Sequence, residues 1–226
     1  PIVRDKVQSK LNEFTEYTML NSGRLSGHVG FTREEVEALC DEYGMDKEEC
    51  ARWYDGYRLT DTIDIYNPLA VVSAMRNQEF ESYWSATGSF EALKDYIMMD
   101  FKGIKQDVID MISGKSVPVN VKKFQNTLQS ITNKDNAFTY LIHLGYLSYN
   151  RKDKTCRIPN EEVRQEWVNS IDDEENYAPI MEIINASKKL LDATVEGNEE
   201  AVAKALDAAH TEVTNPLTYN DEHCFQ

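Results

Sequence analysis

Gly114-Lys115-Ser116 is the first place to look for chemistry, since a GxxxxGK(S/T) loop uses backbone N–H groups and a lysine to hold phosphate oxygens. The glycine such a loop requires five residues earlier is missing: Ile109 stands there, and the residues before Gly114 read as a helix rather than a strand. The triplet is therefore not a phosphate cradle. The four histidines (His28, His143, His210, His223) are far apart, with no HxxxH or HxxE spacing, and GxSxG is absent. His143, between Ile142 and Leu144, reads as a hydrogen-bonded structural histidine. Carboxylates come in pairs at Glu34-Glu35, Glu48-Glu49 and Glu161-Glu162, and in a run from Asp172 to Glu175. At helix starts such anions favour the helix dipole and solvent, so capping and surface charge account for them. No catalytic residue and no metal site emerges from these patterns.

Two clusters remain. Trp53-Tyr54-Asp55-Gly56-Tyr57 places three large rings around an Asp-Gly turn, in which Asp55 can bond to nearby amides. It is either a binding surface or a loop anchored in the core by its rings, and anchoring is the simpler reading. Tyr66-Asn67-Pro68 is a good helix start, with Asn as cap and Pro at the first helical position, and helix starts can also bind anions.

The 226 residues carry 24 basic and 39 acidic groups, a net charge of −15, which disfavours nonspecific contact with phosphate backbones. The exception is an island of net +5 over residues 120–157, which includes Arg151, Lys152 and Lys154 as candidate nucleic-acid contacts. Solvated loop lysines are the simpler reading of it. No apolar run is long enough for a membrane helix, and Pro1-Ile2-Val3-Arg4 lacks the apolar stretch of a secretory leader. The scattered Cys40, Cys50, Cys156 and Cys224 read as reduced thiols, so a cytoplasmic location is expected.

The elements that must position these residues are mostly helical. Residues 11–30 suggest a short helix running into a loop. Thr32 and Glu35 form a capping box, Phe31 is placed to staple onto Val36, and Gly44 stops the helix. Asp46 with Glu49 repeats the box before a short second helix, with Met45 placed to staple onto Cys50. A short extended Ile63–Tyr66 follows, then a helix from Pro68 whose apolar stripe reads as Leu69, Val72 and Met75. Further helices are expected at about 89–99, 104–112 and 133–144. Val117 to Val121 reads as an edge strand, because Pro118 cannot donate to a ladder. Tyr146–Tyr149 and Thr155–Ile158 form a ribbon around a basic turn, and Pro159-Asn160 opens another helix. Helix, strand, charged turn, strand is a winged-helix outline. Its helix offers only Lys134, Asn136, Thr139 and His143 to DNA, which favours a structural use. A helical hairpin around Gly197-Asn198 completes a mainly α chain with a small antiparallel β ribbon.

In combination, FTREEVEALCDEYG, ARWYDGYRL, IYNPLAVVSAM, AFTYLIHLGYLSYN and RIPNEEVRQEW resemble the bacterial AAA-ATPase-like family that carries a C-terminal PD-(D/E)XK nuclease-like domain. The resemblance runs from about residue 11 to the end. It implies that the chain is a central fragment, with the Walker segments upstream and the nuclease-like strands downstream. The implied layout is a helical lid bundle over 1–115, a winged-helix-like unit over 116–170 and a helical hairpin linker over 171–226. It implies a noncatalytic module coupling nucleotide state to the nuclease-like domain, with the flanking ATPase core and nuclease-like domain as partners. No cofactor is expected in the fragment, with ATP and Mg in the intact parent. Asn67 and Pro68 would face the nucleotide, braced by Trp53, Tyr54, Asp55, Gly56 and Tyr57, although Tyr66 replaces the glycine of the lid turn in related ATPases. Two rival readings are a nucleic-acid-binding winged helix using the basic island and a protein-interaction module using the acidic hairpin.

Overall fold

The computed structural model describes residues 17–60, 63–84, 101–123, 131–172 and 178–213. The chain divides into two compact units, Pro1–Ile171 and Asp172–Gln226. It is mainly helical, with two small antiparallel sheets of three strands each in the first unit.

In the first unit, α1 (Arg33–Tyr43) begins with the expected capping box: Glu35 N–H donates to Thr32 Oγ1, and the Glu35 carboxylate accepts from Thr32 N–H at 2.8 Å. Gly44 closes it at φ 67°. Asp46 caps α2 (Lys47–Tyr54) by accepting from Glu49 N–H at 2.7 Å. Glu49 does not complete a second box. Its carboxylate accepts from Arg52 and from the Trp53 indole N–H at 2.9 Å instead, because the i+3 and i+4 neighbours offer charged and ring donors. Phe31 and Met45 pack against the core that holds Val36 and Cys50.

Strands β1 (Phe31–Thr32), β2 (Tyr57–Arg58) and β3 (Asp64–Tyr66) form the first sheet, with β3 in the centre and Ile65 opposite both Thr32 and Tyr57. Asn67 caps α3 (Pro68–Asn77), its side chain accepting from Leu69 N–H at 3.0 Å. The buried stripe of α3 is Ala70, Val71, Ala74 and Met75, while Leu69 and Val72 are 50% and 43% exposed. Met75 thus lies on the buried stripe as expected, whereas Leu69 and Val72 do not. Small residues at 70 and 74 let the helix approach Cys40, Cys50 and Tyr54 closely, which larger side chains would prevent.

The helix α4 (Ile104–Ile112) lies where expected. The helix expected at 89–99 falls outside the described residues. Residues 11–16 of the expected short helix fall outside the described residues; residues 18–21 form a tight turn closed by a Thr18–Asn21 bridge, followed by a 3-10 turn over Gly23–His28. Next come β4 (Val117–Pro118), α5 (Lys134–Leu144), β5 (Ser148–Asn150) and β6 (Thr155–Arg157). The second sheet runs β4-β6-β5, so Pro118 does sit on an edge strand. Asn133 caps α5, Gly145 ends it at φ 90°, and Cys156 turns inward with its Sγ 4.0 Å from Met111 Sδ. In α6 (Glu161–Asp172), the Trp167 indole is buried and donates to the Tyr146 carbonyl at 3.1 Å.

The second unit is a hairpin of α7 (Ala178–Val195) and α8 (Glu199–Val213). Gly197 turns at φ 69°, and Asn198 caps α8 by accepting from Ala201 N–H at 3.1 Å. Among the described residues, no helix is long and apolar enough to cross a membrane. Cys40, Cys50 and Cys156 are buried and free.

Candidate functional site: a joint around the aromatic turn

Of the residues singled out by type and spacing, the aromatic turn forms a joint with the end of α5 and the start of α6. The three rings of the turn face inward: Trp53, Tyr54 and Tyr57 are all buried, so they anchor the loop. The Tyr57 hydroxyl donates to the Gly145 carbonyl at 2.9 Å, tying the turn to the end of α5. The Tyr54 hydroxyl donates to the Glu81 carbonyl at 3.0 Å and accepts from Glu81 N–H at 3.2 Å.

Asp55 is the hub. One carboxylate oxygen pairs with Arg33 Nη2 at 2.6 Å, and the other accepts from Gly56 N–H at 2.6 Å. Burial raises the Asp55 pKa, against the pull of the Gly56 amide and the Arg33 charge. The Asp55 carbonyl accepts from Asn160 Nδ2 at 2.9 Å, while Asn160 Oδ1 caps α6 by accepting from Val163 N–H at 3.0 Å. One side-chain amide therefore starts α6 and grips the turn. Asn160→Ala is expected to cost about 2–3 kcal/mol, the sum of a helix cap and a partly buried hydrogen bond. A urea denaturation midpoint would measure it, and a loss no larger than an exposed cap gives would argue against the double role.

Beside the hub lie two acids that charge patterning alone assigns to the surface. Glu162 is fully buried and Glu166 nearly so. Glu161-Glu162 reads as a solvated helix start, but Glu161 is largely covered where it pairs with Arg164 at 2.7 Å, and Glu162 is buried. Glu162 Oε1 accepts the backbone N–H groups of Tyr83 at 2.9 Å and Trp84 at 3.0 Å, and Glu166 Oε1 accepts from Ser82 Oγ at 3.0 Å. Glu162 Oε2 has no hydrogen-bond partner among the described residues. Burial pushes Glu162 up to about 7, against the two backbone N–H donors and helped by the neighbouring Glu166. The i,i+4 spacing of the two acids, flanking the buried Val163 and Trp167, was the available signal.

Asn67 is half-buried and spends its side-chain oxygen on the cap, while Pro68 is exposed beside Leu69 and Val72. Arg151, Lys152 and Lys154 are all exposed on the β5–β6 turn. Asn150 Oδ1 accepts from the amides of Lys152 at 3.0 Å and Asp153 at 3.2 Å, Arg151 donates to the Leu20 carbonyl, and Lys154 sits at φ 57°. The rest of the basic island is divided, since Lys134 pairs with Asp107 at 2.5 Å. Lys115 ends α4 with its Nζ on Asp110 at 3.0 Å, which is no phosphate loop. Among the described residues, no group of three or more His, Cys, Asp or Glu side chains is arranged to hold a metal ion.

The chain is 30% identical over 98 residues, 39% of its length, to an uncharacterized protein in the vnfD 5′ region of Azotobacter chroococcum mcd 1. It spans only about a fifth (19%) of that relative. No family model matches the chain. No solved structure matches it.

Proposed function

We propose that this chain is a noncatalytic lid-like and winged-helix-like module of an ATP-binding AAA-ATPase-like protein, passing nucleotide state toward a downstream nuclease-like domain. The observation that carries this reading is the joint at Asp55. It ties the segment leading into Asn67-Pro68, through the pairing of β3 with β2, to the turn after α2, and through Asn160 to α6. A displacement at the start of α3 would therefore move α6, which is what a coupling element requires. The phosphates and Mg would be held by residues outside this chain, since no phosphate loop lies in the described part, while Asn67, whose Oδ1 caps α3, and Pro68 would face the nucleotide from the helix start. Pro68, Leu69 and Val72 form the outward face that would meet an ATPase core.

Nucleotide titration of the intact protein tests this. Asn67→Ala and Pro68→Ala are expected to weaken ATP binding by roughly tenfold, about 1.4 kcal/mol. Unchanged affinity in both variants, with ATP bound normally by the unaltered protein, would refute the assignment.

A further inference from the structure

We propose that the groove where β2 meets the β5–β6 ribbon binds the sugar–phosphate backbone of a nucleic acid, with Arg58 and Arg157 as its two phosphate-gripping residues. The ribbon's register builds the groove. Ser148 lies opposite Arg157, and Asn150 opposite Thr155, so all four share one face, while Cys156 turns to the core. Arg58 joins from β2, its backbone N–H donating to Ser148 Oγ at 3.3 Å, and Ser116 lines the far side. The result is a cleft of about 260 Å³ lined by two guanidinium groups and the hydroxyl-bearing Ser116, Ser148, Tyr149 and Thr155.

Guanidinium forks and hydroxyl donors match phosphate oxygens, and the Tyr149 ring at the groove's edge is of the kind that lies against a sugar or base. Two carboxylates lie nearby and both are engaged. Asp153 accepts from Asn150 Nδ2 at 2.7 Å, and Asp64 pairs with Arg58 Nε at 3.0 Å. The Arg58 side chain is 50% exposed in that pair, and such solvent-facing ion pairs are weak enough for a phosphate to displace. A polymer is favoured over a single anion because the positive strip does not stop at the groove. Arg151, Lys152 and Lys154 continue it along the exposed turn, so successive phosphates would each release counterions. The chain as a whole has a net charge of −15, so contact elsewhere on the surface is opposed.

Fluorescence anisotropy with short labelled single-stranded and duplex DNA, at about 50 and 200 mM salt, is the test. Binding is expected at the lower salt. Arg58→Gln plus Arg157→Gln should weaken it at least roughly tenfold and make the duplex salt slope shallower by about 0.9 per lost phosphate contact. Lys188→Gln plus Lys189→Gln, on exposed positions of α7, should change neither quantity. Thermal melts check that each variant is folded. The proposal fails if the chain does not bind DNA at low salt, or if a folded double-arginine variant binds as well as the parent. It also fails if inorganic pyrophosphate displaces DNA where sodium chloride of equal ionic strength does not, because the groove would then be a small-anion site.

Discussion

Gly56→Ala is expected to cost roughly 3–5 kcal/mol, the range reserved for changes the surrounding backbone cannot absorb. A Cβ at this position would lie 2.1 Å from the Pro159 carbonyl oxygen and 2.8 Å from its carbon, and both are backbone atoms with no side-chain freedom to yield. The backbone is at φ 108°, outside the regions open to L residues, so the conformation adds its own penalty. Relief would require the turn and the Pro159-Asn160 segment to separate, which would also stretch the Asn160–Asp55 hydrogen bond. Gly44→Ala supplies the comparison. Gly44 also has a positive φ, but nothing lies within 4 Å of its missing Cβ, so only the left-handed cost of about 1 kcal/mol applies. Urea denaturation of both variants separates the effects. Equal losses would show that the approach to Pro159 is not what position 56 protects.

The second large effect is the pH dependence of stability set by Glu162. Its ordinary pKa is 4.5, and in the folded protein burial lifts it to about 7. Between these values the folded protein keeps a proton that the unfolded chain has released, so stability falls as pH rises from about 4.5 to about 7, then levels off. The fall from this group is roughly 3 kcal/mol. Glu166 and Asp55 are also raised by burial and act in the same direction. Glu162→Gln keeps an oxygen for the Tyr83 and Trp84 amides but cannot ionise. It is expected to remove most of the slope and to exceed the parent's stability by about 2–3 kcal/mol at pH 8. Glu162→Ala strands both amides and is expected to lose about 2–4 kcal/mol even at pH 5. Parallel pH–stability curves for the parent and Glu162→Gln would show that Glu162 is not the titrating group.

Local signals forecast the fold well wherever a few neighbouring residues decide the outcome. Thr32 with Glu35, Asp46, Asn67 and Asn133 each start a helix in the way their side-chain oxygens allow, and Gly44, Gly145 and Gly197 end one. The first sheet was largely hidden because β1 and β2 are two residues long, too short to show an alternation. On α3, choosing the larger apolar residues pointed to Leu69, Val72 and Met75; packing kept Met75 but otherwise buried Ala70, Val71 and Ala74. Glu162 was read as a surface acid because its two partners are backbone amides 78 and 79 residues away, and backbone donors leave no trace in residue identity. The candidate joint fared similarly. Its members stood out individually, but only the folded chain brings Asp55 and Asn160 together.

That long reach has a consequence for how the chain is made. The bonds from Tyr57 to Gly145, Arg58 to Ser148 and Asn160 to Asp55 close sequence separations of 88, 90 and 105 residues. Helices α1 and α2 can form as soon as they leave the ribosome, because their caps are local. The rings of the aromatic turn must wait for Gly145 and Asn160, which at synthesis rates of about 5–20 residues per second means roughly 5–20 s after Tyr57 appears. Until then Trp53, Tyr54 and Tyr57 lack part of the surface that buries them, and the nascent chain displays an aromatic patch of the kind chaperones hold. Closure of these large loops, rather than helix formation, sets the pace of folding.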